Sequence, residues 1–266
     1  MRIVTWNINS LRLRLPLLAD IARTLTPDVI CLQETKVPDP LFPAEGLDRL
    51  GYTHQLRRGM KGYNGVAILS RTPLEEVPDT PDWCGKGDCR HIAGRVQTSD
   101  GPLEIHNFYV PAGGDIPDTE ENPKFAHKLA FLEEATAWFR TRSMTRTVLV
   151  GDLNIAPLEH DVWSHKQLLS VVSHTPPETE RLEHWLKTGF TDAMRHFVPA
   201  SEKLYTWWSY RNRDWAASNR GRRLDHIWVT KDLVPSLSAI SVMKDARSME
   251  SPSDHVPVAA DFTFSP

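Results

Sequence analysis

Three short polar clusters in this chain carry residue types that could act on one reacting atom: Gly151-Asp152-Leu153-Asn154, Gln33-Glu34-Thr35-Lys36 and Ser253-Asp254-His255. An Asp and an Asn two residues apart behind an apolar run point to the same side if the chain stays extended, so one can act as base while the other donates. Taken singly, each cluster has a plain structural reading. Asx residues populate turns after strands, and the other two clusters read as a solvated helix start and as a turn or helix cap. Taken jointly, they match what phosphodiester hydrolysis needs: an activated water, neutralisation of the non-bridging oxygens and help for the leaving oxygen. Magnesium prefers hard oxygen ligands and keeps several waters, so one or two carboxylates and a substrate phosphate suffice, with Glu34 the principal candidate ligand.

Short apolar runs must position these groups. Candidate strands are 2–8, 29–33, 66–70, 94–98, 103–110, 147–151, 224–230 and 256–264, each with β-branched or aromatic residues and bounded by Pro, Gly, Asn or Asp. Helical periodicity covers 11–25, 123–141 and 179–188, the second with Phe125, Leu129, Leu132 and Phe139 near one face. The polar residues fall at strand ends: Asn7 closes the first, Glu34 the second, Tyr109 lies near the end of another, and Asp254-His255 precede the last. Strand ends in an α/β scaffold project side chains into a common crevice while the apolar bodies fix their positions.

The 266 residues, 40% hydrophobic and 24% charged, have the composition of a globular protein with a full-sized core, and no Ser-rich, Gly-rich or single-sign linker divides them. One domain over 1–266 is expected. The start of the chain shows no basic stretch followed by an apolar run, and no apolar run is long enough to cross a bilayer, which implies a cytoplasmic protein without a membrane partner. Three cysteines cannot all pair, and Cys84 and Cys89 have no second Cys or His pair at zinc-site spacing, so they read as loop residues. A net charge of -3 excludes a domain that coats nucleic acid through its overall charge, and it suits carboxylates converging on a divalent cation.

Trp6-Asn7-Ile8-Asn9, Leu32-Gln33-Glu34-Thr35-Lys36, Gly151-Asp152-Leu153-Asn154, Arg223-Leu224-Asp225-His226-Ile227 and Pro252-Ser253-Asp254-His255-Val256-Pro257-Val258 occur in the order seen in the exonuclease III family of abasic-site endonucleases. The resemblance spans Met1 to Phe264 and extends to the wider endonuclease/exonuclease/phosphatase superfamily. It implies a four-layered α/β sandwich, with two central, mainly antiparallel sheets flanked by helices. It further implies that Asp152 takes a proton from the attacking water, that Asn154 and Asn7 orient phosphate, water or metal, and that His255, oriented by Asp225, contacts the scissile phosphate. Asp254 is assigned to the metal or its water shell, Tyr109 to the phosphate or departing oxygen, and Asn9 and Lys36 to substrate binding. The cofactor implied is Mg2+, with Mn2+ able to substitute. The implied substrate is double-stranded DNA with abasic sites or 3′ ends, cut by a monomer on the 5′ side of the lesion or trimmed by 3′-5′ exonuclease and 3′-phosphatase action.

Between Lys203 and Lys231 arginines and aromatics interleave. Arg211, Arg213, Arg220, Arg222 and Arg223 are candidates to neutralise phosphates, and Trp207, Trp208 and Trp215 offer flat surface for a sugar or base. The plain alternative is a core tryptophan cluster beside a solvated arginine loop. The resemblance implies that Trp207, Trp208 and Leu224 wall a pocket for a flipped-out abasic sugar. Arg57, Arg58 and Lys61 suggest a loop gripping the duplex backbone, against a simple exposed turn. Relatives carry a smaller residue where this chain has His165; in the pocket, that side chain would restrict the sugar and favour 3′-end trimming. The 111–123 loop, acidic and without Lys or Arg, is assigned no DNA-gripping role. The rivals are a superfamily phosphatase acting on inositol phosphates or phospholipid head groups, which the arginine and tryptophan segment disfavours, and a catalytically idle DNA-binding module.

Overall fold

Runs such as Arg2–Asn7 and Val66–Ser70 are too short for stable helices and rich in β-branched residues, and in the computed structural model, which describes residues 1–264, both are strands with buried bodies. Ser265 and Pro266, the end of the expected domain, lie outside the described residues. The strands are β1 (Arg2–Asn7), β2 (Val29–Gln33), β3 (His54–Arg58), β4 (Val66–Ser70), β5 (Leu74–Glu76), β6 (His91–Thr98), β7 (Gly101–Tyr109), β8 (Thr147–Asp152), β9 (Phe190–Asp192), β10 (Asp225–Thr230), β11 (Leu237–Val242) and β12 (Val258–Phe262). They form two six-stranded sheets, ordered β11-β12-β1-β2-β4-β3 and β5-β6-β7-β8-β10-β9. Each sheet has one parallel pair, β1/β2 and β7/β8, and antiparallel pairings elsewhere, as the sandwich expectation required.

All eight expected strands form, with ends shifted by a few residues: 256–264 shortens to β12, and 94–98 lengthens to β6. The four that sequence periodicity missed, β3, β5, β9 and β11, are the four sheet edges. An edge strand is covered on fewer sides and keeps no continuous apolar signal, and all five residues of β3 are only half-buried. This corrects the reading of Arg57 and Arg58 as part of a loop.

Among the described residues seven α-helices complete the layers: α1 (Leu15–Leu25), α2 (Ala44–Asp48), α3 (Pro123–Arg140), α4 (His165–Leu168), α5 (Pro176–Leu186), α6 (Ala193–Phe197) and α7 (Trp215–Ser218). Helix α1 starts four residues later than its periodicity suggested, at the turn carrying Pro16, where a proline suits the first helical positions. Helix α5 starts earlier, because Thr175 and Glu178 form a reciprocal cap that begins it at Pro176.

The sheets pack face to face through Ile3, Cys31 and Ile68 of one and Ile105, Val150 and Ile227 of the other. Outside the first sheet, Leu18 and Ile21 of α1 cover Ile30 and Leu32. Outside the second, Phe125, Leu132 and Phe139 of α3 and Trp185 of α5 cover Phe108, Leu149 and Trp228. Four layers result. Two buried amides bind the sheets to each other: Gln33 donates to Asn107 Oδ1 at 2.7 Å, and Asn107 donates to the carbonyls of Leu32 and Ala67 at 2.9 Å. Because unpaired buried amides are costly, this link fixes the relative placement of the sheet ends just beyond it.

Candidate active site

Strand register brings the polar residues together. Tyr109 of β7, Asp152 of β8 and Asp225 of β10 are neighbours across the second sheet, since Tyr109 pairs with Asp152 and Asp152 with Asp225. In the first sheet Asn7 of β1 pairs with Gln33 of β2, directly before Glu34. His255 enters from the turn before β12, bridged to Trp207. Strand β8 approaches β7 closely at Gly151, whose φ is +144° and where a Cβ would stand 1.9 Å from the Phe108 carbonyl oxygen, so only glycine can occupy the residue before Asp152.

One amide ties the two sheets' acids into a single centre: Asn7 Nδ2 donates to Glu34 Oε1 and to Asp152 Oδ2, each at 2.9 Å. Asn154 closes the other side of Asp152, its backbone N–H donating to Oδ1 at 2.9 Å and its Nδ2 to Oδ2 at 3.1 Å. His255 stands between two carboxylates, with Nδ1 2.8 Å from Asp225 Oδ2 and Nε2 3.6 Å from Asp152 Oδ2. Thr206 steadies Asp225, its hydroxyl donating to Oδ2 at 2.6 Å. Tyr109 donates its phenol to Glu34 Oε1 at 2.8 Å.

Several of these residues stand in the left-handed region that non-glycine residues seldom visit: Asn9 (φ 47°), Glu34 (φ 52°), Lys36 (φ 53°) and Asn154 (φ 54°). Such strain, of order 1–3 kcal/mol per residue, persists only where surrounding bonds over-determine the backbone. Here the amides of Ser10 and Leu11 bond the carbonyls of Glu34 and Thr35, and the Lys36 amide bonds the carbonyl of Asn64.

Burial and charge set the protonation of the centre. Burial raises the Asp152 carboxyl to about 7, against the lowering influence of the His255 charge. Burial alone would lower His255, but Asp225 and Asp152 outweigh it and raise the imidazole to about 10, so it is cationic at neutral pH. Burial also raises Tyr109 well above an ordinary phenol, assisted by Glu34 and Asp152, which keeps it a donor. For Glu34 the hydrogen bonds from Asn7, Lys36 and Tyr109 overcome burial and lower the carboxyl.

Among the described residues, two places offer cation ligands. Asp152, Asp225 and His255 present three ligand atoms within 4.8 Å of one another, but His255 Nδ1 is bonded to Asp225. At the second, Glu34 Oε2 holds the Lys36 ammonium at 2.8 Å, and that ammonium also donates to Asn9 Oδ1 at 2.6 Å. A carboxylate and an amide oxygen are the hard ligands that a small divalent cation takes. Asp254 lies beside this place, accepting from Asn9 Nδ2 at 3.2 Å and from Trp207 Nε1 at 2.9 Å.

The centre opens into a cleft of about 940 Å³ lined by Glu34, Tyr109, Asp152, Asn154, Asp254 and His255 at one end and by Trp163, Trp207, Arg211, Arg220, Arg222 and Leu224 further along. Trp207, Leu224 and Arg211 thus stand where the sequence suggested. Trp208 does not: it is buried against Tyr205 and Trp215, with Nε1 donating to Asn219 at 3.1 Å. Nor does Arg223, which is fully buried and paired with Asp161 and Asp192. Its role is structural. His165 is not among the lining residues; its Nδ1 lies 2.7 Å from His174 Nε2. Arg57 lies over the Phe42 ring, Arg58 pairs with Glu76 at 2.9 Å, and Lys61 alone of the three stays in an exposed turn. The 111–123 segment, given no gripping role, nevertheless walls the cleft with Ala112, Gly114 and Asp115. Trp163 and Ser173 were missed altogether.

Residues 4–255 match the model of the Endonuclease/Exonuclease/phosphatase family. Over 98% of its length the chain is 32% identical to an exodeoxyribonuclease III from Haemophilus influenzae, all of which is covered. It superposes on an AP endonuclease from Archaeoglobus fulgidus with a TM-score of 0.90 at 33% identity, covering 99% of this chain and 100% of that one. A 3′ phosphatase from Neisseria, solved with a product DNA hairpin, gives a TM-score of 0.86 at 33% identity over 99% and 100% of the two chains.

Proposed function

Since the chain belongs to the exonuclease III branch of the endonuclease/exonuclease/phosphatase family and is a metal-dependent DNA repair nuclease, we propose that it hydrolyses phosphodiesters of duplex DNA with magnesium at abasic sites and 3′ ends. The observation carrying this reading is the Asn7 amide that joins Glu34 to Asp152 at 2.9 Å, with His255 beside them. It makes a base, a cationic donor and a cation-binding carboxylate share one centre.

In this reading Asp152, held by Asn7 and Asn154, takes a proton from the attacking water. His255, cationic because of Asp225, presents Nε2–H to a non-bridging phosphate oxygen, where negative charge grows as water attacks. Asn154 and Asn7 hold the water and the phosphate, and Tyr109 donates to the phosphate or to the departing 3′ oxygen. The P–O3′ bond breaks, leaving a 3′ hydroxyl and a phosphate on the departing side. The oxygens of Glu34, Asn9 and Asp254 fit a hydrated magnesium ion, with manganese able to substitute, and such an ion supplies charge neutralisation at the phosphate. Lys36, now on Glu34 and Asn9, is then free to meet a phosphate.

We further read residues 1–266 as one catalytic domain acting as a cytoplasmic monomer. Arg211 and Lys61, on exposed turns, are assigned to the DNA backbone. The buried placement of Trp208, the Arg57 stack and the position of His165 speak against direct contact by those three. Duplexes with an internal abasic analogue or a 3′ phosphate, incubated with the protein and Mg2+, test the proposal: cleavage of neither would defeat it. Release of phosphate from inositol phosphates with none from DNA would favour the lipid-phosphatase alternative instead.

A further inference from the structure

Arg222 is half-buried, whereas Arg211 and Arg220 of the same cleft are exposed. Its guanidinium lies 5.3 Å from the centroid of the Trp207 ring, and Nη1 donates to Ser173 Oγ at 2.8 Å and to the Val172 carbonyl at 3.2 Å. Its Nε is buried without a hydrogen-bond partner. Among the described residues no carboxylate is in contact with it: Glu178, whose charge acts on it from further off, is taken by Lys128 at 2.5 Å. The adjacent Arg223 shows the usual solution for a buried guanidinium, three nitrogens on two carboxylates at 2.7–2.9 Å. A half-buried cation with no carboxylate in contact is under-compensated, and here its open side faces a cleft that holds a reaction centre for phosphate esters. The missing counter-charge is therefore most simply supplied by ligand.

The chain's own connections place this charge on one side of the centre. The Arg222 backbone bridges Trp207, and Trp207 bridges His255, so Arg222 lies beyond the histidine along the cleft wall, with Leu224 beside it. A neutral deoxyribose in that space would give the guanidinium nothing to pair with. A terminal phosphate, small and carrying close to two negative charges at neutral pH, would.

We propose that Arg222 forms an anion subsite that takes the extra negative charge of a terminal 3′ phosphate, and so tilts this nuclease toward phosphate-blocked 3′ ends over internal abasic sugars. The proposal rests on the DNA-directed reading above and names a specificity residue for it.

The test uses two duplexes alike except for a 3′ phosphate in one and an internal tetrahydrofuran abasic analogue in the other, with wild type, Arg222→Gln and Arg222→Lys in Mg2+. The expected result is a loss of kcat/KM for Arg222→Gln about tenfold or more greater on the 3′ phosphate than on the abasic analogue, because a charge-assisted pair is lost only there. Arg222→Lys should recover part of the difference and also serves if the glutamine variant fails to fold. Equal losses on both duplexes would overturn the proposal. Calorimetric binding of inorganic phosphate separates the two readings. Phosphate binding weakened by Arg222→Gln supports the subsite even if wild type cuts neither duplex, an outcome that would sink the nuclease reading alone. Binding unchanged by the substitution would overturn the subsite.

Discussion

At the scale of single residues, the centre depends on opposite protonation of two neighbours. Asp152 must be ionised to accept a proton, and burial has raised it to about 7; His255 must be protonated to donate, and its two carboxylate neighbours, against burial, hold it to about 10. The plot of kcat/KM against pH should therefore rise through about 7 and fall on approaching 10. Asp225→Asn removes a charge that favours the imidazolium, so it should draw the falling limb to lower pH; a falling limb that stays in place would contradict the pairing. At the metal place, Glu34→Gln should raise the Mg2+ concentration for half-maximal rate by about tenfold or more, as losing a charged oxygen ligand does, read from a magnesium titration of initial rates. Most of these residues were legible, since Asn7, Glu34, Asp152 and His255 stand at the ends of apolar runs that the sequence marks clearly. Trp207 and Arg222 were named, but they were not separated from Trp208 and Arg223, although a period-two signal carried the difference. Trp207 and Ser209 line the cleft while Trp208 is buried between them, and Arg222 and Leu224 line it while Arg223 points into the structure.

At the scale of elements, two buried polar links hold the walls of the cleft in register. Gln33 and Asn107 join the sheets, and the fully buried Lys128 of α3 reaches Glu178 of α5 while donating to the carbonyls of Ala112 at 3.2 Å and Asn154 at 2.8 Å. Glu178 in turn accepts from the backbone of Ser173, so one ion pair ties together three segments that line the cleft. Lys128→Met would leave a buried carboxylate without its cation and should cost about 3–5 kcal/mol of stability. A urea unfolding midpoint that falls at unchanged m-value checks this, and a loss under about 1 kcal/mol would show that water or a rearranged neighbour replaces the pair. Nothing in the sequence announced the link, because a lysine on an otherwise apolar helix face reads as a residue reaching solvent. The edge strands were illegible for a related reason: β3 reads His-Gln-Leu-Arg-Arg, and its strand conformation comes from pairing with β4 rather than from its own pattern.

At the scale of the whole molecule, the sandwich brings together groups separated by up to 248 positions in sequence, from Asn7 at the end of β1 to His255 before β12. Neither sheet alone holds a complete centre: the first contributes Asn7 and Glu34, the second Tyr109, Asp152 and Asp225, and the chain between β11 and β12 contributes His255. That division explains why each motif looks ordinary in isolation and why the order of the motifs, rather than any one of them, identified the family. The most direct measurement is cleavage of a duplex with a 3′ phosphate or an internal abasic analogue by wild type and Asp152→Asn, each with Mg2+ and with EDTA. Wild type should cut in Mg2+, EDTA should abolish cutting, and Asp152→Asn should be slower by about 10²–10⁴-fold, the range for loss of a general base. Cleavage by Asp152→Asn at the wild-type rate, or cleavage that persists undiminished in EDTA, would contradict this mechanism.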